Sequence, residues 1–165
     1  MEYNLLIRVV ACAFSICSLG CGLAAAGEPA ATRTPADQIP WPDDSSRAEG
    51  SAMRKGLQTL VVMGDAKAAG LYTMMFKLPP NTVIPPHSHP DPRSCFVLSG
   101  TWYFAYGDVR DDTQFMALPP GSHYTEPGGK NHFAETRGEE VVAACTGMGP
   151  TGTAFVNPAD DPRRR

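Results

Sequence analysis

Between residues 57 and 146 the apolar positions fall into short runs, most of them alternating with polar ones. The runs are 57–63, 71–78, 82–89, 95–99, 101–106, 115–118, 122–126, 131–136 and 141–146. Pro, Gly or charged residues bound each of them, as at Pro79-Pro80-Asn81, at Gly100 and across 107–112. A period of two places successive side chains on opposite faces of a strand. Eight or nine short strands at this spacing, with no convincing helical stretch, predict an all-β, antiparallel sandwich or small barrel. By the same alternation Trp102, Phe104 and Tyr106 share one face and Tyr103 takes the other, which reads as core packing or a dimer face. His123 is set opposite to Glu126 and reads as a surface or interface residue.

The flanks read differently. Residues 1–8 form a short head with one positive charge, 9–23 are apolar or small without charge, and Ala24-Ala25-Ala26 follows. This is the form of a secretory signal peptide over 1–26, cleaved after Ala26. The apolar run is short and interrupted by Gly for a membrane span. A retained anchor and a lipoprotein attached through Cys21 are the competing readings, the second weakened by Ser18. Export to the periplasm or the extracellular space follows, with no membrane association after cleavage. Residues 27–56 are expected to be an extended, poorly ordered arm, rich in Pro, Ala, Asp and Ser up to residue 51 and tacked down by Ile39 and Trp41. Residues 57–148 carry the folded domain, and 149–165 form a Pro- and Asp-rich tail expected to be solvated.

Composition supports one domain and narrows its partners. The chain has 165 residues, with 16 Gly and 16 Pro, in keeping with many turns. Its 14 basic and 17 acidic residues give a net charge of -3. Loss of residues 1–26 removes one of each, Arg8 and Glu2, and leaves that charge unchanged. There is no basic field to hold a phosphate backbone, so nucleic acid is not an expected partner. Cleavage also removes Cys12, Cys17 and Cys21 and leaves Cys95 and Cys145, an even count that permits a disulfide in an exported protein.

The candidate chemistry lies with the histidines. All four fall between 87 and 132. His87 and His89, one residue apart on a strand, face the same way and can reach one metal ion. Pro85, Pro86 and Pro90 restrict the backbone on both sides of them. His132 follows the turn Pro127-Gly128-Gly129-Lys130-Asn131 and leads into another strand.

At these residues the chain resembles the cupin superfamily. Its first motif, G-x5-H-x-H-x3,4-E-x6-G, is matched in spacing by His87, His89, Arg93 and Gly100. Its second, G-x5-P-x-G-x2-H-x3-N, is matched by Gly121, Pro127, Gly129 and His132, with Thr136 in the Asn position. The resemblance covers about residues 71–146, and 100–162 looks most like small exported proteins with one cupin domain and undefined activity. It implies a jelly-roll barrel (a double-stranded β-helix) with strand orders B-I-D-G and C-H-E-F. Strand B would be 71–78, I would be 141–146, His87 and His89 would lie on C, and His132 on H. Three imidazoles would then converge inside the barrel on a divalent transition metal (Fe, Mn, Zn, Ni or Cu) with coordination positions left open.

The chain departs from the pattern at Arg93, where the family carries a Glu ligand. A guanidinium cannot ligate. Asp91 is nearby in a Pro-flanked loop, and Glu126, just before Pro127, is the better candidate for a fourth ligand. In a jelly roll the end of strand G lies near the start of D, so Glu126 and Arg93 could meet. Two readings stand: an exchanged site, with Glu126 ligating and Arg93 holding it or a substrate anion, or an Arg93–Glu126 ion pair away from the metal. Cys95 and Cys145 would lie on the neighbouring strands D and I, where a disulfide and two buried free thiols are both open. A homodimer is a further implication of the resemblance.

Two functions follow. One is a metal-dependent enzyme, oxygenase-like or isomerase- or lyase-like, acting on a small organic molecule. The other is a non-catalytic protein that captures or senses a metal or small ligand.

Overall fold

The computed structural model describes residues 31–43 and 48–164. The expected signal segment lies outside them. Ten strands are formed: β1 (Gln58–Met63), β2 (Gly70–Leu78), β3 (Val83–Ser88), β4 (Arg93–Ser99), β5 (Trp102–Tyr106), β6 (Met116–Leu118), β7 (His123–Glu126), β8 (His132–Glu135), β9 (Val141–Gly149) and β10 (Ala154–Phe155). They make two five-stranded sheets, ordered β1-β2-β9-β4-β7 and β10-β3-β8-β5-β6, with antiparallel pairing throughout. This is the expected jelly roll, with one edge strand added to each sheet. Among the described residues no helix is long and apolar enough to cross a membrane.

Alternation builds the core. Along β9, Val141, Ala143, Cys145 and Gly147 point inward and are buried, while the residues between them lie outward. On β4 the inward set is Arg93, Cys95 and Val97. With Leu57, Leu78, Ile84, Trp102 and Phe104 these strands contribute one apolar cluster between the sheets. At roughly 25 cal/mol per Å² of apolar surface removed from water, this burial is the main favourable contribution to folding. Cys95 and Cys145 are direct partners in the β4–β9 register and are joined by a disulfide. It closes a separation of 50 residues, which constrains the unfolded chain by about 4 kcal/mol on the chain-entropy account.

All four residues of β8 are buried. Its outward Phe133 is covered by Phe115, with ring centroids 5.2 Å apart. On β7, His123 and Thr125 are exposed while Tyr124 and Glu126 face inward, the arrangement alternation required.

Both flanks pack against the barrel. The Lys77 ammonium lies 5.6 Å from the Trp41 ring centroid, and the Gln58 side chain donates to Pro42 O. Ser51 and Met53 are buried, so the end of the 27–56 arm belongs to the barrel. The expectation of a solvated tail over 149–165 is corrected as well. Strand β9 continues to Gly149, β10 pairs with β3, and Thr153 and Asp161 are buried. A two-residue strand carries no readable period, and its pairing is set by the barrel edge it meets.

Candidate metal centre

His87 lies on β3, His89 just beyond it and His132 at the start of β8. The β3–β8 register places His87 directly opposite His132. All three are buried, and each offers a ring nitrogen within 4.8 Å of the others'. Every Nδ1 meets a backbone carbonyl: Pro85 O at 2.8 Å from His87, Gly152 O at 2.6 Å from His89 and Lys130 O at 3.1 Å from His132. A carbonyl only accepts, so each Nδ1 carries a proton, and in a neutral ring Nε2 is then the nitrogen left to ligate. Burial, reinforced by the charge of neighbouring His132, holds His87 well below the ordinary histidine range. Burial and then the Arg93 guanidinium do the same for His89. Neutral imidazoles oriented by a carbonyl are the form that ligates.

Glu126 enters the same space from β7. Its Oε2 lies 3.5 Å from His89 Nε2 and its Oε1 lies 3.7 Å from His132 Nε2. His132 Nε2 has no hydrogen-bond partner. A carboxylate beside imidazole nitrogens at such separations is favoured by a positive charge among them, carried by a proton or by a metal ion. Three imidazoles converging in this way suit a first-row divalent ion, and the Glu126 carboxylate lies beside them. The donor set therefore fits the group that the fold implies.

Arg93 is drawn in from the opposite side. It pairs with Glu126 in the β4–β7 register, and its Nη1 lies 3.4 Å from Glu126 Oε2. The same Nη1 donates to Gly50 O at 2.9 Å, and Nη2 donates to Thr151 Oγ1 at 2.5 Å. Its Nε lies 3.7 Å from Asp91 Oδ2. Nη1 and Nη2 are thus engaged by the protein's own acceptors, while Nε has no hydrogen-bond partner among the described residues. The ion pair and the histidine cluster share one carboxylate, so Glu126 is not removed from the cluster by its pairing with Arg93.

Asp91, the other carboxylate near the motif, turns away from the histidines. It accepts from Tyr72 OH and from Thr151 Oγ1, both at 2.5 Å. Gly147 makes room for this junction, since a Cβ there would stand 2.5 Å from Asp91 Oδ2 and 2.7 Å from the Tyr72 hydroxyl. Burial pushes the Tyr72 hydroxyl up to about 12, and burial also pushes Tyr124 well above its usual range. Sequence reading did not find Tyr72, Thr151 or the Gly152 carbonyl. Their roles come from the meeting of distant segments and leave no local spacing to detect.

Two segments close the mouth of the barrel above the cluster. Residues 50–53 and 151–155 are joined where Thr153 Oγ1 donates to Ser51 O, at 2.8 Å. Arg93 binds to both segments, and His89 binds to the second. Beneath them is a cavity of about 40 Å³, lined by the histidines, Glu126 and Arg93 on one side and by apolar residues such as Leu57, Ile84 and Phe104 on the other. That is room for about three water-sized molecules. Phe104 and Tyr124, with ring centroids 4.8 Å apart, also line an outer groove between β6 and β7.

A barrel of this topology with inward histidines on its third and eighth strands defines a cupin. The ChrR cupin-like domain family matches residues 43–151, and the chain belongs to it. No curated protein matches the chain. Among solved structures it is similar to the polyketide cyclase RemF from Streptomyces resistomycificus, at 19% identity over 78% of this chain and 89% of that one, with a TM-score of 0.58. It is similar to the DMSP lyase DddQ from Ruegeria pomeroyi DSS-3, at 20% identity over 66% of this chain and 55% of that one, with a TM-score of 0.52. KdgF from Halomonas sp. is similar at 16% identity over 73% of this chain and 96% of that one, with a TM-score of 0.52. At these identities the likeness is one of fold.

Proposed function

We propose that this chain is an exported metal-binding cupin that holds one divalent first-row ion through His87, His89, His132 and Glu126 and uses it to engage ligands of a few atoms. The observation that carries this reading is the convergence of three buried imidazoles, each with its Nδ1 on a backbone carbonyl, beside the Glu126 carboxylate. Arg93 acts as a positioning residue, holding Glu126 toward the imidazoles. The size of the cavity favours capture or sensing of a metal or small ligand, because pockets for organic molecules are ordinarily about 300–1,000 Å³.

A metal-dependent enzyme is the second reading, and the adjoining groove favours it. A larger molecule could rest between β6 and β7 and reach the cluster if Phe104 or Tyr124 moved aside. The ion, when bound, would act there as a Lewis acid or as a site for oxygen chemistry.

Plasma mass spectrometry of the exported protein beside a His87→Ala/His132→Ala variant tests the metal site. About one ion per chain, lost in the variant, is expected. No ion in either protein after reconstitution would overturn the reading.

A further inference from the structure

Glu126 borders a second set of donors. The Sγ atoms of Cys95 and Cys145 and a Glu126 carboxylate oxygen all lie within 4.8 Å of one another, and all three residues are buried. The same carboxylate reaches His89 and His132. It therefore stands between a nitrogen set and a sulfur set. In the structure the two sulfurs are bonded to each other, and a disulfide sulfur is a poor ligand. Thiolates are strong ligands for zinc, copper(I) and other soft ions.

We propose that the reduced chain carries a second metal site, formed by Cys95, Cys145 and Glu126 and masked by the disulfide. Unmasking takes two electrons and two protons from a dithiol, which is itself oxidised to a disulfide as the S–S bond breaks. Each cysteine then loses its proton to solvent as it ligates. Both cysteines are at most 1% exposed, so a reductant reaches their sulfurs only in the unfolded or opened barrel. The redox conditions during folding thus decide whether the barrel has a nitrogen–oxygen site alone or a sulfur site beside it. The proposal shares Glu126 with the function proposed above but does not need the histidines.

Cobalt(II) is a suitable probe, since thiolate ligation gives an intense charge-transfer band in the near ultraviolet. Full-length protein refolded with its thiols reduced should show that band. Protein refolded with the disulfide formed, and the Cys95→Ala/Cys145→Ala variant, should not. Reduced His87→Ala/His132→Ala should keep the band, which separates this site from the histidine site, and reduced Glu126→Gln should bind cobalt at least tenfold more weakly at the sulfurs. The absence of the band from reduced, folded protein would overturn the proposal. So would its loss with the histidine variant, or unchanged affinity in Glu126→Gln. Circular dichroism establishes folding. A reduced chain that cannot fold also overturns the proposal, because the site would then have no barrel to stand in.

Discussion

Arg93 and Glu126 face each other across β4 and β7, with 3.4 Å between Nη1 and Oε2, at the position where the cupin pattern places a carboxylate rather than a cation. The carboxylate has in effect crossed to the neighbouring strand. It still reaches the histidines, and the cation left behind serves Asp91, Gly50 and Thr151 as well. Removing one partner of a buried charge pair leaves the other uncompensated. Arg93→Met is expected to cost about 3–5 kcal/mol in urea unfolding of the metal-free protein. Adding Glu126→Gln should return part of that loss. An unchanged midpoint in Arg93→Met would contradict the pairing.

Binding of an ion to the folded barrel alone raises its stability. At free metal about a hundredfold above Kd the gain is about 2.7 kcal/mol. Thermal scans of the apo protein with added zinc should therefore move upward by several degrees, and His132→Ala should abolish the shift. An equal shift in the variant would place the binding elsewhere.

Thr151 links the closing segments to the site by accepting from Arg93 and donating to Asp91. Thr151→Val leaves both charged groups short of a partner, at a cost of about 1–3 kcal/mol. Its second consequence is kinetic, because the mouth is held less firmly. Transfer of bound metal to an excess of chelator should be faster in the variant, and a rate equal to wild type would show that ions leave by another route.

The Tyr72 hydroxyl is shifted upward, chiefly by burial, from an ordinary value of 10 to about 12. A raised value means that the fold favours the protonated phenol. Its contribution to stability is complete below pH 10 and is lost as pH rises toward about 12. In a titration of tyrosinate absorbance, Tyr72→Phe should lose signal near pH 12. Signal lost near pH 10 would mean that the phenol is not held as described.

The elements legible in the sequence were those whose information is local. Nine strands showed themselves because an inward face must be apolar and an outward one need not be, and His87, His89 and His132 stood out because two share a strand face and the third follows a glycine turn. The Arg93–Glu126 encounter could be anticipated from strand adjacency once the barrel was in view. Tyr72, Thr151 and Gly152 could not. A carbonyl that orients His89 is available at every residue, and only the tertiary path of the chain selects the one at Gly152. The limited volume of the cavity is of the same kind, since it follows from how the two closing segments sit over side chains that are themselves ordinary core residues.

Those two closing segments give the barrel a mechanical property. The chain on one side leaves at Gly50 and on the other passes through Thr151 and Gly152, and all three are fastened directly to Arg93 or His89. Traction applied to either flank is shared between these hydrogen bonds, the Thr153–Ser51 bond and the pairing of β10 with β3 opposite His87. A tether, a surface or a neighbouring domain fused at either side would thus pull on the ligand set itself, and the grip on an ion would vary with load.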